Sequence, residues 1–186
     1  MPSAAWQYWQ NDRLPRLTEI DANCIAALAS GPAHRFLAEE CLRGYVLLLS
    51  GHFQGFCRDL YTECVQAFTT TVPPVAKATV RTQFTTDLKL NIHNPTVETI
   101  RKDFERYNVF LDFGADPANG PRVTDLGQLN KWRNAIAHQN PSPPAGTPPL
   151  MLTRVQQWQV SCDGLATWLD DMMHREMFRI INAAPW

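Results

Sequence analysis

Apolar residues return at helical spacing along most of this chain. No stretch shows the every-second-residue alternation of a half-buried strand. From His34 to about Thr70 there is no proline, and Leu37, Cys41, Tyr45, Leu48, Phe53, Phe56, Leu60, Cys64 and Phe68 mark one stripe. Unbroken, that helix would be about 55 Å long. Gly51 and Gly55 lie within it, as points of bending or of close approach by another helix. Before it, Thr18 and Asp21 stand at capping-box spacing ahead of Cys24, Ile25 and Leu28, and Gly31-Pro32 closes a short helix. After it, Val72-Pro73-Pro74 is a stop. The pattern then predicts a helix over about 75–88 with Val80, Phe84 and Leu88 on one side. Asn94 (cap) and Pro95 (first helical position) start another, which runs to about Tyr107. In that helix Ile100, Phe104 and Tyr107 point inward, and Arg101, Lys102, Glu105 and Arg106 form a solvated face.

Residues 113–121 read as a loop, and Thr124 caps a helix carrying LGQLNKWRNAIAHQN. Leu126, Leu129, Trp132 and Ile136 form its buried stripe. Pro141 to Pro149 is a loop that cannot continue a helix. Thr153 caps a last helix to about Ile181, with Val155, Trp158, Leu165, Trp168, Leu169, Met172 and Phe178 inward. The chain is therefore read as all-α: residues 1–16, with Pro2 and Pro15, an irregular arm, and residues 17–186 a single helical domain.

Composition narrows the function classes. A formal charge of −1 argues against a large basic nucleic-acid footprint, so any such contact must be local. The five cysteines are odd in number and form no CxxC pair, which fits reduced, buried thiols and a cytoplasmic protein. No signal-peptide pattern is visible, and the longest apolar run, Tyr45 to Leu49, is far short of the ~18 residues a membrane helix requires. There is no phosphate-binding glycine loop and no recognisable nucleophile motif. Asp170 and His174, one turn apart, are two ligand types without a third, so no metal site and no cofactor is expected.

The most suggestive chemistry lies in Arg133-Asn134-Ala135-Ile136-Ala137-His138. Asn134 is one turn before His138, placed to hydrogen-bond the imidazole and set its tautomer. Arg133 flanks them about 140° from the histidine on the helix. Ala135 and Ala137 leave room for a phosphodiester or a second helix. Arginine offers a planar fork for phosphate oxygens, and histidine is the side chain most readily used as acid or base near neutral pH. Together they suit RNA cleavage through the ribose 2′-hydroxyl. The structural alternative is a histidine stabilised by the helix macrodipole beside a surface arginine.

LNKWRNAIAHQN, with its Arg-x4-His pattern closing a helix, resembles the signature of the HEPN superfamily. YVLLLSGHFQGFCRDLYTE resembles the second helix of its RiboL-PSP and neighbouring groups, NPTVETIRKDF the short helix before the motif, and TRVQQWQVSCDGLATWLDDMM the closing helix. The resemblance spans about residues 30–180. It implies a HEPN-like bundle of about five to six helices with one long helix, and a homodimer in which two motifs meet in one site. It further implies a metal-independent endoribonuclease, a toxin or defence effector with an antitoxin or nucleotidyltransferase partner. Arg133 would contact the scissile phosphate, His138 transfer protons and Asn134 orient the histidine. Lys131 and Asn130 are the expected further substrate contacts. Related sequences often carry an acidic residue where this one has Gln54. The alternatives are a non-catalytic HEPN-like module binding a nucleotide, RNA or a protein partner, and a purely structural helical dimer.

Overall fold

The computed structural model describes residues 1–140, 142 and 144–186; of the expected proline-rich loop, Pro141 and Pro143 lie outside the described residues. Among these residues all regular structure is helical: α1 (Ala4–Tyr8), α2 (Leu14–Ala29), α3 (Arg35–Thr70), α4 (Lys77–Thr85), α5 (Lys89–Ile92), α6 (Val97–Phe104), α7 (Asn119–Ala137) and α8 (Leu152–Ile181), with shorter π and 3₁₀ turns between some of them. The long helix α3 is the axis. α7 and α8 pack against it and against each other, and α2 packs along it and touches α8. Among the described residues no helix is long and apolar enough to cross a membrane.

The N-terminal arm corrects the sequence reading, because residues 4–16 are helical rather than irregular. Ser3 caps α1 by accepting the Trp6 N–H at 2.9 Å. Glu63 of α3 accepts from the N–H groups of Ala4 and Ala5 at 2.8 and 3.0 Å, and Asp170 of α8 takes that of Ser3. Trp9 is fully buried between Phe53 and Phe56 and donates its indole N–H to Asp163 at 2.9 Å. The chain continues through a π-helical turn at Trp9–Arg13 into α2, where Pro15 is tolerated in the first turn. Arg13 is drawn in by Asp59 at 2.7 Å and lies over Gly55, where an added Cβ would stand 2.7 Å from its guanidinium. Close approach to Gly55 is thus real, and its user is an arginine. Burial of Trp9 contributes about 3–5 kcal/mol, enough to order an arm that local pattern leaves ambiguous. Thr18 sits inside α2 and returns its hydroxyl to the Leu14 carbonyl, while Gly31, at φ 81°, ends the segment as expected.

Elsewhere the differences are local. On the first half of α3 the buried positions are Ala38, Leu42, Tyr45, Val46 and Leu49, whereas Leu37 and Leu48 face out; from Phe53 onward the expected stripe is the core. The helix expected over 75–88 ends at Thr85, and Asp87 takes a left-handed conformation before α5 begins. Two side chains of α6 and its following turn force that break. Buried Asp103 accepts the Lys89 and Leu90 N–H groups at 2.9 and 2.8 Å, while Arg106 donates to the carbonyls of Phe84, Thr86 and Asp87. Arg106 is therefore a clamp, and Arg101, bonded to the Leu111 carbonyl, is structural as well. α6 is capped by Thr96, two residues after the expected Asn94. α7 starts at Asn119, five residues before Thr124. Asp125 accepts from Ser161 and Gln157 at 2.6 and 3.3 Å, locking the register of α7 on α8. The register matters because α7 carries the motif.

Candidate functional site

The last turn of α7 has a defined ending. Gln139 adopts a left-handed conformation (φ 53°), its N–H donates to the Ile136 carbonyl at 2.9 Å, and the Asn140 N–H donates to the Ala135 carbonyl at 2.8 Å. This is a Schellman closure with His138 as the final capping residue. Its backbone N–H still bonds the Asn134 carbonyl at 3.0 Å, so the imidazole projects from the rim of the helix end. His138 is exposed, and its ring has no hydrogen-bond partner among the described residues. After the motif the chain folds back on α7. Trp132 donates to the Pro148 carbonyl at 3.1 Å, and the Lys131 ammonium lies 3.8 Å from where a Cβ on Gly146 would stand.

The motif's own hydrogen bonding departs from expectation at one residue. The side-chain oxygen Oδ1 of Asn134 accepts from Asn94 Nδ2 at 2.7 Å and from an Arg133 guanidinium nitrogen at 3.3 Å. The amide is thus joined to Arg133 and to the turn before α6, and not to His138. The two residues are one turn apart, but the pull comes from a tertiary neighbour forty positions away.

Asn130 corrects a second expectation. It is buried, donates to the Pro95 carbonyl at 3.2 Å and accepts from Ser50 at 3.5 Å, so both ends of its amide are spent on binding α7 to α3 and to the 94–96 segment. Substrate has no access to it. Lys131 is exposed.

Sequence reasoning missed Asn94, which it spent as a helix cap, and treated Gln54 only as a departure. Gln54 Nε2 donates to the carbonyls of Leu90 and His93 at 2.6 and 2.9 Å, strapping the end of α5 onto α3. An acidic side chain cannot make either bond when ionised. The one legible signal was a polar residue, Asn94, standing before a proline with a second capping residue, Thr96, just behind it. Beyond Asn94 opens a concavity of about 430 Å³ bordered by Lys89, His93, Thr96 and Lys102. Lys102 is engaged with Glu98 at 2.6 Å. A larger cavity, about 620 Å³, lies by Pro2, Trp6, Asp170 and His174, at the level of Glu63 and away from the motif. The Asp170 carboxylate there is pushed above its usual range by burial and receives the N-terminal arm.

What the arrangement offers chemically is local. A cation with spare donors, a half-satisfied amide and an imidazole without a partner among the described residues share one helix end beside a groove lined by Lys89, His93 and the Glu98–Lys102 pair. That suits an anionic, extended ligand. Compared with known families, the chain matches the model described as RiboL-PSP-HEPN over residues 11–174, a span that includes the whole of α7. No curated protein and no solved structure matches it.

Proposed function

This chain belongs to the RiboL-PSP-HEPN family, and from that premise we propose that it is a metal-independent endoribonuclease. The observation that carries the reading is the helix end itself, where His138 is exposed with no partner among the described residues and Arg133 spends one donor on Asn134. In the reaction we envisage, the imidazole takes the proton of a ribose 2′-hydroxyl, the resulting alkoxide attacks the adjacent phosphorus, and the 5′-oxygen of the next nucleotide leaves. The products are a 2′,3′-cyclic phosphate and a free 5′-hydroxyl. The Arg133 guanidinium offsets the charge that builds on the phosphoryl oxygens.

The leaving oxygen needs a proton, and one histidine cannot be base and acid in the same step. We therefore read the working form as a homodimer in which a second copy brings its own Arg133 and His138 across a two-fold axis. The face of α3 next to Ser50 supports this. Leu47 and Gly51 are exposed there, and a Cβ added at Gly44 or Gly51 meets nothing within 4 Å. The biological setting that fits is a toxin or defence effector whose RNA cutting is held in check by an antitoxin or nucleotidyltransferase partner.

Asn134 favours a second reading in one respect. Because its amide serves Arg133 and Asn94, no hydrogen bond among the described residues of one chain orients the imidazole, which suits a module that binds RNA, a nucleotide or a protein without cutting. One experiment separates the two. Wild type, Arg133→Ala and His138→Ala are expressed and scored for growth arrest, for RNA cleavage in EDTA and for size in solution. Cleavage by a wild-type dimer, absent from both variants at unchanged Tm, is the expected result. A wild type that binds RNA but leaves it intact supports the binding module and ends the ribonuclease reading.

A further inference from the structure

Asn94 is not part of the Arg-x4-His motif, yet its side chain is the tertiary contact of that motif's amide. The segment around it is held from both sides. Gln54 of α3 grips the His93 carbonyl immediately before it, and Asn130 of α7 grips the Pro95 carbonyl immediately after. Its own carbonyl accepts the Thr96 N–H at 2.8 Å, which starts α6. Asn130 lies one turn before Asn134 on α7, so the same helix that carries the motif also fixes the backbone that carries Asn94.

The direction of the bond has a consequence. Asn134 Oδ1 takes donors from both Asn94 and Arg133, so the orientation of this exposed amide is set. Its Nδ2, with two hydrogens and no partner among the described residues, is left as a donor at the surface. Beside it the Arg133 guanidinium keeps most of its donors. Two kinds of N–H, one cationic and one neutral, are then left on adjacent residues of the helix end, which suits the oxygens of a phosphodiester. Without Asn94 only the 3.3 Å bond from Arg133 holds the amide, and its orientation is less firmly set.

We propose that Asn94 is a positioning residue of this site: it fixes the Asn134 amide so that Asn134 Nδ2 and Arg133 present neighbouring donors to an RNA phosphate. The proposal rests on the ribonuclease reading above and gives Asn134 the role of substrate donor in place of orienter of His138. Asn94 acts through Asn134, so its effect must vanish when Asn134 is gone.

The test is a double-mutant cycle on the full chain with a defined RNA, using Asn94→Ala, Asn134→Ala and the double variant, with Tm followed in parallel. Asn94→Ala is expected to lower kcat by about ten- to a hundredfold, with the double variant no slower than Asn134→Ala alone. Asn94→Asp, which cannot donate to Oδ1 and draws Arg133 away, should be no better than alanine. A second readout is independent of cleavage: the side-chain ¹⁵N amide resonances of Asn134 should report one fixed amide orientation in the wild type and shift in Asn94→Ala, which removes the donor to Oδ1. Additive effects in the cycle, or Asn134 resonances that do not respond to Asn94→Ala, overturn the proposal. A wild type that cleaves nothing overturns the ribonuclease reading and the role of Asn94 in cleavage. In that event the resonances still decide whether Asn94 holds the Asn134 amide.

Discussion

Replacing Gln54 by glutamate tests the strap beneath the site with a change of one group. In the wild type the Gln54 amide nitrogen is within 2.6 and 2.9 Å of the Leu90 and His93 carbonyl oxygens. An ionised glutamate at this position donates neither bond, and one of its oxygens must sit against two carbonyls or swing away. Two net hydrogen bonds at about 1 kcal/mol each, with about 1 kcal/mol for the repulsion or its avoidance, place the cost near 3 kcal/mol at neutral pH. For a chain of this length that is a fall in Tm of roughly 6–12 °C. The pH dependence carries the sharper signature. When protonated, the introduced carboxyl recovers one donor, so it is held above the unfolded value of about 4.3. A group raised in this way contributes stability that is present below the unfolded pKa and is lost as pH rises through the folded one. The gap between Gln54→Glu and wild type should therefore be small near pH 4 and widen toward pH 7. Gln54→Ala, with nothing to titrate, should stay a constant distance below wild type. Thermal melts of the three proteins from pH 4 to 8 measure this. If Gln54→Glu melts within a degree of wild type at pH 7, or tracks the alanine variant at every pH, the strap does not hold the turn as argued.

Asp103→Ala leaves the Lys89 and Leu90 N–H groups unpaired under a buried side chain, and should cost about 2–3 kcal/mol in denaturant unfolding; a cost below 1 kcal/mol would mean that α5 has another cap. Gly51→Ala meets open space in the single chain and should gain about 0.5–1 kcal/mol in helix propensity while weakening self-association if that face pairs, whereas Gly55→Ala drives its Cβ into Arg13 and should gain nothing; equal melting shifts for both would refute the difference. Burial holds the thiols of Cys24, Cys57, Cys64 and Cys162 above the ordinary range, Cys24 up to about 11, so alkylation at pH 8 should label Cys41 first and the other four only on unfolding; mass spectrometry showing a buried thiol labelled in the native protein would contradict this packing. His52 is held below its ordinary 6.5, chiefly by burial and also by Arg13, so it favours the neutral form in the folded chain. His52→Gln should flatten part of the stability loss that wild type suffers as pH falls below about 6.5, and a variant with an unchanged pH profile would remove His52 from the account.

The helices were legible because the 3.6-residue period of Phe53, Phe56, Leu60 and Cys64, or of Val155, Trp158, Leu165 and Leu169, records which face each one must bury. The Arg133–His138 pattern was legible for a related reason: a helix end sets the relation of residues a turn apart with no help from the rest of the fold. What local pattern does not contain is who lies opposite. Residues 4–16 became helical because Trp9 had Phe53 and Phe56 to pack on and Glu63 to cap the arm. The helix expected over 75–88 broke because Asp103 and Arg106, from a later segment, offered its backbone groups better partners than one another. At the site the same rule operated on single side chains. Asn134 was one turn from His138 by sequence, but a 2.7 Å bond from Asn94 claimed its oxygen, and Asn130 beside it was consumed in the core. Periodicity determines the faces of the helices and the order of groups along them. Only the tertiary structure decides which hydrogen-bond donors and acceptors remain free, because each polar group is claimed by the best partner within reach, whatever its distance along the chain.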